Sequence, residues 1–109
     1  MELSTIFKSL SDKTRFQIVM RLLKRSYCVG GLARVLNVSE AAISQHIKIL
    51  KKANLIEGEK NGYFMHYKVK RDVLENVAQA LLNLAAIELL LDKKCQQADL
   101  SPCKLCNRA

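Results

Sequence analysis

Asn61-Gly62 separates two runs of alternating side-chain character, Leu55 to Lys60 and Tyr63 to Val69. That arrangement predicts a β-hairpin with a type I′ turn, in which both central residues take positive φ. The segments before the hairpin read at helical period instead. Leu3, Ile6, Phe7 and Leu10 follow i, i+3, i+4, i+7 and predict a first helix. Ser11-Asp12 offers capping side chains for a second, Lys13 to Lys24, with Phe16, Met20 and Leu23 on one face and Val19 and Leu22 beside them. Gly30-Gly31 is a weak point before a short third helix, carried by Leu32, Val35 and Leu36 and ending near Asn37. Asn37-Val38-Ser39 is turn material, and Ser39 is a good N-cap for a fourth helix from Glu40 to Ala53. After the hairpin, Arg71-Asp72 caps a long final helix from about Val73 to Lys93. The expected class is mainly α with a β-hairpin wing (α+β), in the order α1-α2-α3-α4-β1-β2-α5.

The fourth helix carries the functional signal. At about 100° per residue, Ile47 and Leu50 fall close to Ile43, with Ala42, Ile49 and Ala53 on the adjoining arc. Glu40, Ala41, Ser44, Gln45, Lys48, Lys51 and Lys52 occupy the opposite arc. One face is apolar; the other is small and polar near its start and basic further on, as a helix entering a DNA groove would be. His46 falls on the apolar side and reads as a packed or hydrogen-bonded structural histidine. His66, on the second strand, reads as surface or core filler.

Charge agrees with that reading. Eighteen Lys and Arg stand against ten Asp and Glu, a formal +8 on 109 residues, which points to a polyanionic partner. Half the residues are hydrophobic, so the chain should fold as one domain rather than form a basic tail. Met1-Glu2-Leu3-Ser4-Thr5 lacks the basic start of a secretory signal. Residues Ala78 to Leu91, interrupted by Gln79, Asn83 and Glu88, fall short of the roughly 20 apolar residues a membrane span needs. The expected location is the cytoplasm, with no membrane partner. No Ser-His-Asp set, phosphate-binding Gly loop or carboxylate pair in one motif argues for an enzyme. Leu81 to Leu91 is apolar nearly all round, which predicts burial against a partner chain.

Helix, short helix, turn, polar-faced helix and hairpin is the order of a winged helix-turn-helix. The residues resemble one family in particular. Ser9-Leu10-Ser11-Asp12-Lys13-Thr14-Arg15 is similar to the "aLaDpTRl" opening of the ArsR–SmtB repressors, with Lys13 where the family usually has Pro. Ser39 to Leu50 resembles their "SqpavSrHLkvL" recognition helix, and Glu57 to Val69 their "R-x-G-x-x-x-x-Y" wing. The resemblance covers residues 3 to about 90. It implies a homodimer, joined through the first and last helices, that binds palindromic double-stranded operator DNA and releases it when a metal or metalloid ion binds. In that frame Ser39 caps the helix and meets a phosphate. Glu40, Ala41, Ser44 and Gln45 lie at base edges, with Gln45 suited to adenine and Glu40 to a cytosine amine. Lys48, Lys60 and Lys68 are backbone candidates, and Asn61, Gly62 and Tyr63 form the wing tip.

The cysteines divide three to one. Cys103-x-x-Cys106 has chelating spacing, and Cys95 lies seven intervening residues upstream. Three thiolates without a nearby His make a soft, sulfur-only site that suits As(III), and with a fourth ligand Cd(II) or Zn(II). Cys28 is a fourth ligand or, more simply, a plain buried thiol. The resemblance sets "ELCVCDLA" against Ser26 to Ala33, so Cys28 keeps the first cysteine and Gly30 replaces the second; Val73 to Leu91 contains no His for the family's zinc-type site. The organisation expected is a DNA-binding and dimerisation domain over residues 1–94 and a cysteine-bearing tail over residues 95–109. The tail also permits two other roles, a thiol-based redox or sulfur-species sensor and a structural zinc site.

Overall fold

A computed structural model describes residues 2–88. Five helices and one hairpin follow the expected order: α1 Leu3–Leu10, α2 Lys13–Lys24, α3 Val29–Leu36, α4 Glu40–Lys52, β1 Ile56–Asn61, β2 Phe64–Val69 and α5 Arg71–Ala85. This is a winged helix-turn-helix. The chain divides into two compact units, Met1–Ala78 and Gln79–Ala109. The boundary expected at residues 94 and 95 lies outside the described residues.

Within the first unit α2 packs against α1, α3, α4 and β2. Ile6, Ile18, Leu22, Leu32, Ile43, Ile47, Leu50, Leu55 and Ile56 are all buried and form its core with Val69, Val73 and Val77. The buried face of α2 is the Ile18–Val19–Leu22 face. Phe16 and Met20, which the periodicity grouped with Leu23, are about half exposed. Leu23 alone of those three packs against the core.

Side chains start α2, α3 and α4. The Asp12 carboxylate accepts from the Arg15 backbone N–H at 3.0 Å, which starts α2. Cys28 Sγ accepts from Gly31 N–H at 3.3 Å, so α3 begins at Val29 and takes in Gly30 and Gly31 rather than starting beyond them. The thiol is half-buried and caps a helix, so the expectation of a plain buried thiol is corrected. Asn37 closes α3 in the left-handed region, φ 57° and ψ 48°, and Asn54 follows α4 with φ 64°. The last helix starts at Arg71, not Val73, because Lys70 O accepts from Val73 and Leu74 N–H and Asp72 favours the positive end of the helix. Its helical residues end at Ala85, short of the expected Lys93. Ala86 and Ile87 N–H close it with bonds to Asn83 O and Leu84 O, one residue tighter than the helix repeat.

The hairpin is antiparallel, with Ile56 opposite Val69 and Asn61 opposite Phe64. Asn61 is therefore the last strand residue, and the two-residue loop is Gly62-Tyr63. Gly62 has φ +68°, while Tyr63 and Asn61 do not enter the left-handed region. That pattern belongs to a type II′ turn, with Gly at the first central position, and corrects the expected type I′ turn at Asn61-Gly62. At the other end Tyr27 bridges to Tyr67 through two backbone bonds of 3.3 and 2.8 Å, adding a one-residue third strand to the base of the wing. The Arg25 guanidinium lies 5.3 Å from the Tyr27 ring centre, a cation–π contact at the same anchor.

Two measurements test this description. Leu22 is buried on the core face of α2, so Leu22→Ala should lower the unfolding free energy in urea by about 2–5 kcal/mol, and Phe16→Ala by less than about 1 kcal/mol. Equal losses would contradict the assignment of the α2 faces. The Arg15 backbone N–H also holds the Asp12 carboxyl below the usual carboxylate range, against a smaller opposing effect of burial. Because the folded value is the lower one, this stabilisation is present above the unfolded pKa and disappears as the pH falls through the folded one. Asp12→Asn should therefore unfold with a shallower acid dependence below about pH 4, followed by circular dichroism.

Candidate nucleic-acid interface

Ser39 Oγ accepts from Ala42 N–H at 3.1 Å and starts α4, with its backbone carbonyl taking the Ile43 N–H. Burial of Ile43, Ile47 and Leu50 then fixes which way the helix faces. Ser39, Glu40, Ala41, Ser44, Gln45 and Lys48 are all exposed. The sequence grouped them on one arc, and the fold leaves that arc open to solvent. The Glu40 carboxylate leans back toward the start of α3, 3.7 Å from where a side chain on Gly30 would begin. An acidic group there is favoured by the α3 N-terminus.

The wing supplies a second exposed element. Lys60, Asn61, Gly62 and Tyr63 are exposed, and Tyr63 is 99% accessible, with its ring off the protein at the tip of the hairpin. Gly58 faces Tyr67 across the strands, and a side chain placed on it would come within 2.9 Å of Met65 Sδ, so the methionine would have to move aside. Lys68 is exposed and pairs with two carboxylates of the wing. Its ammonium lies 3.3 Å from a Glu59 oxygen and 3.6 Å from Glu57. The hydrogen bond to Glu59, and then the two negative charges, raise the Lys68 pKa above the usual lysine value. Lys68 thereby offsets two carboxylates on a surface that would otherwise repel a polyanion.

His46 is the structural, hydrogen-bonded side chain that the helical wheel indicated. Its Nδ1 lies 3.2 Å from an Arg15 guanidinium nitrogen and 3.9 Å from Asp12 Oδ2. Arg15 also donates from Nε to Ser9 O at 2.7 Å. Sequence reasoning placed Arg15 only within the opening motif; the 31-residue separation of Arg15 and His46 left no local signal of their contact. His66 is half-buried on β2.

The three tail cysteines Cys95, Cys103 and Cys106 lie outside the described residues. Among the described residues no group of three His, Cys, Asp or Glu side chains is placed to hold a metal ion, and the Cys28 thiol is used as a helix cap. In the second unit Leu81, Leu82, Leu84 and Ile87 are exposed. No helix among the described residues is long and apolar enough to cross a membrane.

Comparison with known proteins converges on one group. Residues 12–58 match the profile of the family described as "Bacterial regulatory protein, arsR family". The chain is 33% identical over 81 residues to the transcriptional repressor SdpR of Bacillus subtilis, covering 74% of this chain and 90% of that protein. It is 32% identical over 81 residues to the cadmium resistance transcriptional regulatory protein CadC of Listeria innocua, covering 73% and 68%. Among solved structures, an ArsR-like transcriptional regulator from Rhodococcus superposes with a TM-score of 0.75 at 27% identity, covering 92% of both chains.

The α4 start provides a direct check. Removing the Oγ acceptor in Ser39→Ala should cost about 1 kcal/mol of stability, whereas Ser39→Asp should retain it. Urea unfolding that found the two variants equally stable would contradict the capping role.

Proposed function

The chain belongs to the arsR family of bacterial regulatory proteins, and from that premise we propose that it is a homodimeric repressor of an operator in double-stranded DNA, induced by a thiophilic ion. It is a transcription regulator and not an enzyme. The observation that carries the DNA reading is the exposed arc Ser39-Glu40-Ala41-Ser44-Gln45-Lys48 on a helix whose opposite face is locked in the core, beside a wing ending in Tyr63. A helix of that build fits the major groove, with Gln45 and Ser44 able to read base edges and Glu40 able to accept from cytosine. Ser39, Lys48 and Lys60 would meet phosphates, and Asn61, Gly62 and Tyr63 would lie along the backbone. Two copies carry twice the +8 of one chain, so affinity should fall steeply with salt. The exposed Leu81, Leu82, Leu84 and Ile87 support a second copy as the partner of the last helix.

For the inducer, Cys95, Cys103 and Cys106 supply three thiolates, which favours As(III), with Cd(II) and Zn(II) as the other ions the set would accept. The relative named for cadmium resistance supports an ion of this soft class. Cys28 is not needed in this site, since its sulfur caps α3. An ion releases DNA only if it binds one dimer state more tightly than the other, and a coupling of about 1–3 kcal/mol is the usual scale.

The test is a gel shift on a duplex selected from a random library by the protein. As(III), Cd(II), Zn(II) and an oxidant are titrated separately, in a reductant that does not bind arsenic. Release by As(III) is expected, together with a variant carrying Ser at positions 95, 103 and 106 that binds the duplex but does not let go. Release by oxidant alone would replace the ion with a thiol-redox signal. A triple variant that still responds to As(III) would remove the tail from the site.

A further inference from the structure

The apolar packing of α4 sets where its axis lies but is not directional, so Ile43, Ile47 and Leu50 alone leave the helix free to roll by small angles. A hydrogen bond is directional, and one reaches α4 at His46, the residue after Gln45. Its donor is anchored elsewhere. The Arg15 backbone N–H is tied to Asp12 at the start of α2 at 3.0 Å, and its Nε is tied to Ser9 O at 2.7 Å. Ser9 O is one of the last carbonyls of α1, which have no partner within the helix. Ser9 is itself 3% exposed, with its hydroxyl bonded to Ile6 O at 2.7 Å, so that end of α1 is held firmly.

Arginine keeps its protons, so the 3.2 Å contact requires His46 Nδ1 to accept and the ring proton to sit on Nε2. The guanidinium is planar and its donors have a fixed spread, so orienting it on Ser9 O also orients the donor that faces His46. Asp12 stands 3.9 Å from the same Nδ1 and 3.0 Å from the Arg15 N–H, which places a carboxylate beside both partners. One side chain of α2 therefore joins the end of α1 to the recognition helix, one residue from the proposed adenine reader.

We propose that Arg15 is a positioning residue for DNA reading: by holding Ser9 O and His46 Nδ1 together it sets the roll of α4 and hence where Ser44 and Gln45 point. This rests on the proposed DNA-binding reading of α4. Neither Arg15 nor His46 touches the duplex in this scheme. Its signature is a loss of discrimination, since contacts to phosphates tolerate a small roll and base-edge pairs do not.

The test uses the full chain and a duplex that the unaltered protein selects from a random library, beside a scrambled duplex of equal length and composition. Affinities for both, and thermal unfolding, are measured for Arg15→Gln, His46→Leu, the double variant and His46→Asn. His46→Leu and Arg15→Gln should each lower the selected-to-scrambled affinity ratio about tenfold, the scale of one lost hydrogen bond to a charged group. The double variant should lose no more than either single one, because the same link is cut. His46→Asn should restore most of the ratio, since its side-chain oxygen can accept from Arg15 in place of Nδ1. If Arg15→Gln does not fold, the Leu and Asn variants at the partly buried position 46 still decide the matter. An unchanged ratio in His46→Leu, equal weakening on both duplexes, additive losses, or an Asn variant no better than Leu would each overturn the proposal. Failure of the unaltered protein to select any duplex would instead defeat the DNA-binding reading, and this inference with it.

Discussion

Everything at the proposed DNA-facing surface depends on the burial of one side of α4. Ile43 and Leu50 are completely inaccessible and Ile47 nearly so, packed into a core shared with α2 and α3. Fully burying one such side chain is worth about 1.5–3 kcal/mol, so turning the helix over would forfeit several times the energy of any surface contact. With its apolar stripe committed, the helix can present only one side of its circumference, turned by small angles at most. The small residues Ala41 and Ser44 at its beginning then keep the backbone close to whatever lies outside. Longer side chains at those places would hold it away.

The same constraint explains what could be read without coordinates. Hydrophobic period sufficed for α4, whose buried Ile43, Ile47 and Leu50 are regularly spaced, and the Asn-Gly pair sufficed for the existence of the hairpin; in α1 the apolar period marked a helix of which Ile6 is the only buried hydrophobic residue. The period misled on α2, where Phe16 and Met20 are apolar but lie outside the first unit's core. Periodicity detects a face and does not say which of two adjoining faces meets the core. It also placed the hairpin turn one residue early. Asn-Gly favours a type I′ turn in isolation, yet pairing Asn61 with Phe64 keeps Asn61 in the ladder and moves the positive φ requirement onto Gly62 alone.

The candidate site divides along a similar line. The residues of the α4 arc were legible because one helix carries them all at fixed angular spacing. The Lys68 pairing with Glu57 and Glu59 was not, since it depends on strand register and side-chain reach. Nor was the Arg15–His46 contact, which joins helices far apart in sequence. Cys28 shows a third kind of limit: its chemistry suggested either metal binding or hydrophobic packing, and the fold uses the sulfur as a weak acceptor at a helix start. A polar role at a cap is available to sulfur but seldom expected of it.

The bridge between Tyr27 and Tyr67 joins the chain just ahead of α3 to the second strand of the wing. Through it the helix-turn-helix and the wing share a continuous hydrogen-bonded framework at their base, and only the hairpin's outer end stands apart from it. That link ties the inner part of the wing to the helices it extends from. In the proposed dimer, adjustment to differently spaced half-sites would then come from how the two copies swivel against each other, or from deformation of the DNA itself.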